Sequence, residues 1–121
     1  MVTKYQTGMQ GQQGAEVFLL ENGYNILERN YRIRSGEVDL IAELNDYIVF
    51  IEVKTRKGLK FGLPCESVGF KKRQRIVRTA MHYISVKKLD NHNFRFDVME
   101  VYADASGVQV NHIENAFDAS W

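Results

Sequence analysis

Residues 38–55 read VDLIAELNDYIVFIEVKT, and this stretch limits the possible folds more than any other part of the chain. Val38–Leu44 and Tyr47–Thr55 are apolar segments of strand length, and Asn45-Asp46 between them is hairpin chemistry. An antiparallel hairpin is expected, and with it a sheet. With a two-residue turn, Leu44 faces Tyr47, Asp39 faces Glu52 and Glu37 faces Lys54; a four-residue loop with the same centre keeps this register, and a bulge shifts it. Along the second strand Ile48, Phe50, Glu52 and Lys54 share one face, apolar in its first half and charged in its second.

Two carboxylates that face each other across a ladder repel, and beside a core strand they also lose hydration. A divalent cation would offset both penalties. Mg2+ is held by one or two carboxylates while it keeps several waters. Lys54, two residues beyond Glu52 on the same face, could orient water or stabilise charge on a phosphate. The alternative is plainer: Glu37, Asp39, Glu52 and Lys54 form an exposed ion-pair ladder that contributes little.

The remaining elements follow from periodicity. Residues from about Gln10 to Asn22 read as a helix ended by Gly23, with a polar tail expected over residues 1–9. Tyr24–Ile33 reads as a first strand. A loop over Arg56–Glu66 precedes a long helix from about Gly69 to Val86, with Ser67 as its expected cap. Strands over Phe94–Ala103 and Val108–Ile113 complete an α-β-β-β-α-β-β order, a mixed α/β fold with one dominant hairpin. Asp97 alternates with Phe96 and Val98, so it is expected to point away from the core in a structural role. At 121 residues and 45% hydrophobic, the chain suits one domain with a real core.

Charge is unevenly spread. Lys54 to Arg78 holds nine Lys or Arg and one acid, Glu66, whereas beyond Leu89 a single basic residue, Arg95, stands among six acids. On the second helix Lys71, Arg75, Arg78 and His82 fall on one stripe. A basic middle suits a polyanionic partner; a solvated helix face and loop explain the same charges equally well. The start of the chain shows no apolar secretory segment and no run long enough to cross a bilayer. Cys65, the single cysteine, has no intrachain partner. A cytoplasmic location and no membrane partner are expected. The three histidines lack zinc-ligand spacing, and Gly8, Gly11 and Gly14 follow no strand, so they form no phosphate loop.

Asp39, a hairpin and then Glu52-Val53-Lys54 resemble the PD-(D/E)xK nuclease superfamily, which has restriction-endonuclease-like and Holliday-junction-resolvase-like members. The nearer resemblance is to the YraN-like family of predicted bacterial endonucleases. It rests on Gly36-Glu37-Val38-Asp39-Leu40-Ile41-Ala42, on Val49-Phe50-Ile51-Glu52-Val53-Lys54-Thr55-Arg56, on Arg29-Asn30-Tyr31-Arg32, on Arg95-Phe96-Asp97-Val98 and on His112-Ile113 with Asn115-Ala116-Phe117. The resemblance implies a restriction-endonuclease-like αβββαβ core with the site on its central hairpin. It also implies Asp39 and Glu52 as ligands of Mg2+ or Mn2+, the Val53 carbonyl as a third ligand, and Lys54 as the catalytic lysine. Many relatives carry a first-helix glutamate eleven residues before the helix-ending glycine; here that position holds Gln12, with Glu16 one turn later on the same face. Either Glu16 replaces the missing carboxylate or it is an ordinary surface residue.

These readings lead to a metal-dependent endonuclease acting on DNA, with branched or structured substrates and a homodimer both within reach of the resemblance. Arg56, Lys57, Lys60, Lys71, Arg75 and Arg78 would grip the phosphate backbone. A nucleic-acid-binding module with weak or no cleavage, and a protein-interaction domain, are the alternatives.

Overall fold

The computed structural model describes residues 4–57, 69–104 and 107–119. Its elements are α1 (Lys4–Glu21), β1 (Asn25–Ile33), β2 (Gly36–Leu44), β3 (Tyr47–Lys57), α2 (Phe70–Lys87), β4 (Asn93–Asp104) and β5 (Gly107–Phe117). This is the expected αβββαβ order with a further strand at its end. The strands form one sheet in chain order. β3 and β4 run parallel, joined across one face by the segment that contains α2, and all other neighbours are antiparallel. The lysine at position 60, Cys65 and the expected cap Ser67 lie outside the described residues.

Each face of the sheet carries one helix. On the α1 side, Ala15 and Leu19 meet Leu40, Ala42, Val49, Ile51, Met99 and Val101. On the α2 side, Ile76, Val77, Ala80, Tyr83 and Ile84 meet Ile41, Ile48, Phe50, Phe96 and Val98. β3 is apolar on both faces from Ile48 to Ile51 because both faces are covered.

α1 begins at Lys4, not at about Gln10, so residues 4–9 of the expected tail are helical. Glycine lowers helix propensity, which is why the sequence suggests a later start. Two of the glycines instead mark close approach. A Cβ on buried Gly11 would collide with the Thr55 side chain of β3, and one on Gly14 would lie 3.0 Å from Val108 Cγ1 of β5. α1 closes as expected at Gly23, whose φ is +87°, with the Tyr24 N–H donating to the Leu19 carbonyl at 3.0 Å.

The β2–β3 register is the expected one from Leu44↔Tyr47 to Leu40↔Ile51. There the ladder ends. On the other edge of β2, Arg29↔Leu40 and Tyr31↔Val38 pair, while Asn30, between them, has φ +52°. Val38 packs with the α2 cluster and Leu40 with the α1 cluster, although residues two apart on a regular strand share a face. β2 therefore turns over at Asp39, opposite Asn30, a residue type that tolerates positive φ; the register shift of the β1–β2 ladder itself lies between Ile26 and Glu28.

Candidate functional site

Asp39 sits where the hairpin opens. Its Oδ2 accepts a hydrogen bond of 2.8 Å from the Val53 backbone N–H. That bond fixes the carboxylate against β3 at the point where the β2–β3 ladder has stopped. Glu52, one residue before Val53, is buried with 6% exposure. Asp39 and Glu52 are near enough for the charge of one to act on the other. The ladder pairing expected of them from register does not form, because the β2–β3 ladder ends at Leu40↔Ile51; a side chain–backbone bond takes its place.

The Asp39 carboxyl is pushed up to about 7. Burial is the main cause, and repulsion from Glu52 and Glu37 adds to it, outweighing the Val53 N–H and the Lys72 ammonium, which favour the charged form. Lys72 reaches down from the first turn of α2, its Nζ 2.5 Å from Glu52 Oε1. Burial opposes its charge, but the hydrogen bond to Glu52 and the fields of Glu52 and Asp39 prevail and raise its pKa. Sequence reading missed Lys72. It lies beside the stripe of Lys71, Arg75 and Arg78, and nothing in the helical period says which cation will meet a strand.

Other expected residues are distributed as follows. Lys54 stands beside Glu100 in the β3–β4 register, and Glu100 is 2% exposed. The Glu100 carboxylate accepts from Asn111 Nδ2 at 3.0 Å and lies 3.8 Å from an Arg56 guanidinium nitrogen. β3 and β4 thus carry a second buried acid on the face of Glu52, two residues farther along. Glu37 does not oppose Lys54, because the β2–β3 ladder has ended. It faces Arg32 of β1 instead, with an ion pair of 2.7 Å. Lys71, Arg75 and Arg78 are exposed on α2, and His82 of the same stripe shares a 2.9 Å hydrogen bond with the Tyr31 hydroxyl. Lys57 ends β3.

In the first helix Glu16 forms an ion pair of 2.7 Å with Arg29 of β1, its own side chain 15% exposed. Gln12 is half-buried in the turn that packs Gly11 against Thr55.

Asp97 does alternate away from Phe96 and Val98, but the far side is buried too, because α1 covers it; its exposure is 0%. It accepts from Arg95 at 2.8 and 2.9 Å, from His112 Nε2 at 2.6 Å and from the Asn115 N–H at 2.9 Å. Burial opposes its ionisation, yet these bonds outweigh burial and hold the carboxyl below its usual range. Asp97 is a satisfied structural anion and Asp39 an unsatisfied one.

Among the described residues no group of three or more His, Cys, Asp or Glu is placed to hold a metal ion. Asp39 and Glu52 are the two carboxylates that the opened hairpin brings within each other's field. Two such oxygens in mutual repulsion suit Mg2+ or Mn2+, which can leave the other positions to water and substrate. Among the described residues no helix is long and apolar enough to cross a membrane.

A model of the Uncharacterised protein family UPF0102 matches residues 11–101. A UPF0102 protein of Clostridioides difficile is 50% identical over 107 residues, covering 88% of this chain and 92% of the relative. One from Clostridium acetobutylicum is 48% identical over 114 residues, covering 93% of each. One from Syntrophus aciditrophicus is 44% identical over all 121 residues and 95% of its own length. Among solved structures, SfsA of Pyrococcus furiosus in complex with Ca2+ is similar at 14% identity and a TM-score of 0.43, over 88% of this chain and 63% of that one. That likeness is too distant to carry an assignment.

Proposed function

The chain belongs to the uncharacterised protein family UPF0102, and from its opened hairpin we propose that it is a metal-dependent endonuclease of the PD-(D/E)xK type, hydrolysing phosphodiester bonds in DNA. One observation carries the reading. Two carboxylates from facing strands, Asp39 and the buried Glu52, lie within each other's field, and Asp39 lacks the compensation that Asp97 enjoys.

Asp39 and Glu52 would hold the Mg2+ or Mn2+, with the Val53 carbonyl as the third ligand the family resemblance suggests. Bound there, the cation would supply Lewis acidity and an acidified water. The chain's own residues do the rest. The Val53 N–H orients Asp39. Lys72 pairs with Glu52 and holds it in place. Lys54, on the Glu52 face of β3, would stabilise charge on the phosphate. Arg56, Lys57, Lys71, Arg75 and Arg78 would hold the nucleic-acid backbone, which gives affinity without sequence choice.

The Lys72–Glu52 ion pair also favours a second reading, because it partly satisfies the site without a metal. In that reading the chain is a nucleic-acid-binding module that cuts weakly or not at all. A cleavage screen over linear, single-stranded, flapped and four-way-junction DNA, with Mg2+ and then Mn2+, separates the two. Metal-dependent cutting abolished by Asp39→Asn supports the nuclease. Binding without cutting under every condition supports the module.

A further inference from the structure

A second feature adjoins the carboxylate pair on the side of the β1–β2 turn. Residues 32–37 and the first half of α2 form an open cavity of about 330 Å3, lined by Arg32, Arg34, Glu37, Lys72 and Arg75 over Gly36. Its volume falls within the range of roughly 300–1,000 Å3 usual for ligand pockets. Gly36 is what lets the turn seat there: a Cβ would come within 2.6 Å of Thr79 Oγ1 and 2.8 Å of the Arg75 carbonyl oxygen. The close seat brings cations of the turn and of α2 around one space.

Four cations and one acid line that space. Arg32 is paired with Glu37 and Lys72 with Glu52. Arg34 and Arg75 have no carboxylate within ion-pair distance among the described residues, and Arg75 is close enough to Lys72 to oppose its charge. Like charges gathered around a concave site repel unless an anion joins them, and the field there favours a compact, multiply accepting oxyanion. The cavity is also tied to the carboxylate pair: Lys72 lines it and bonds Glu52, and Glu37 lines it and repels Asp39.

We propose that this cavity is a phosphate-binding site, taking a phosphate of the nucleic acid beside the one presented to Asp39 and Glu52. The proposal rests on the nucleic-acid reading above and adds to it the β1–β2 turn, whose Arg32 and Arg34 serve as a second wall facing α2. The phosphate is either an internal diester of the backbone or a terminal 5′-monoester.

The test is binding of the full chain, in EDTA so that no cleavage occurs, to a single-stranded oligonucleotide with and without a 5′-phosphate, over a series of salt concentrations. The variant is Arg32→Gln with Arg34→Gln. Both residues are exposed at a turn, and an unchanged melting temperature checks the fold. The control is Lys87→Gln with Lys88→Gln, which removes the same charge at the far end of α2. The turn variant is expected to lower the slope of log K against log salt by about 1.4, that is about 0.7 for each lost single-strand contact. The control should leave the slope nearly unchanged. An equal loss on both oligonucleotides identifies an internal diester, and a loss confined to the 5′-phosphorylated one identifies the terminal group. A turn variant indistinguishable from the control overturns the proposal and leaves the nuclease reading standing. A wild type that binds but never cuts with metal rejects the nuclease and leaves the cavity.

Discussion

Asn30 and Asp39 face each other across β1 and β2, and between them they make the site. Asn30 accepts a positive φ, β2 turns over, and the freed Asp39 carboxylate takes the Val53 N–H. Its raised pKa sets the first prediction. A folded-state value near 7 against an ordinary unfolded value near 4 means that Asp39 favours folding only while protonated. Stability is lost as pH rises between those values, by at most about 1.4 kcal/mol per pH unit. Asp39→Asn keeps an acceptor for Val53 without the charge. Urea unfolding of the metal-free chain should show it more stabilising, relative to wild type, at pH 8 than at pH 5. Added Mn2+ should then raise the melting temperature of wild type and not of the variant. Equal stabilisation of both would place the ion elsewhere. Glu16→Gln loses the ion pair between a mostly buried carboxylate and the exposed Arg29, so it should lower stability by about 1 kcal/mol and leave metal affinity unaltered, as titration calorimetry would register.

The elements meet through glycines as much as through apolar side chains. Gly11→Ala should gain about 1 kcal/mol of helix propensity, yet the Thr55 side chain stands in the way of the new methyl group. We expect a net loss of about 1–3 kcal/mol from overpacking. Thr55→Ala should recover part of it in the double variant; additivity of the two would mean that α1 does not seat where the structure places it. Element order and the hairpin register from Leu44 to Leu40 were legible in the sequence because both depend on local signals: alternation, the Asn45-Asp46 turn and the helix stop at Gly23. Lys72 and Glu100 were not. Which cation on α2 meets β3 depends on how the helix rotates on the sheet, and neither the 3.6-residue nor the two-residue period records that angle. The turn-over of β2 was hidden for a similar reason. Asn30 is its one signal, and an asparagine inside a strand pattern has several other uses. Asp97 was expected outside the core and lies within it, because covering of its face by α1 is a property of the whole sheet.

At the scale of the molecule, one sheet carries two buried aspartates of opposite character. Asp97 ionises more easily in the folded chain, so the stability it adds is complete above its unfolded value and disappears as pH falls through its lowered folded value. Asp39 acts in the reverse sense over the interval above. The metal-free chain should therefore be most stable near the ordinary carboxylate pKa, about 4 to 5, and decline on both sides. Asp97→Asn should abolish the acid limb and cost about 3–5 kcal/mol near neutrality, since it strands Arg95 and His112 in a buried place. Mg2+ or Mn2+ should flatten the alkaline limb alone. A profile without that limb, measured by thermal unfolding from pH 4 to 8, would count against an uncompensated Asp39.

Lys72 gives these balances a direction. One ammonium group now satisfies Glu52, and it lines the cavity that the phosphate would enter. It cannot serve both fully. A phosphate that draws Lys72 away leaves Glu52 short of a counterion, and a divalent ion at Glu52 frees Lys72 for the phosphate. The two ligands then bind with positive cooperativity, and thermodynamic reciprocity requires each to tighten the other by the same factor. Such a chain would hold metal more tightly with its substrate bound than without it, so the nucleic acid itself would promote cleavage.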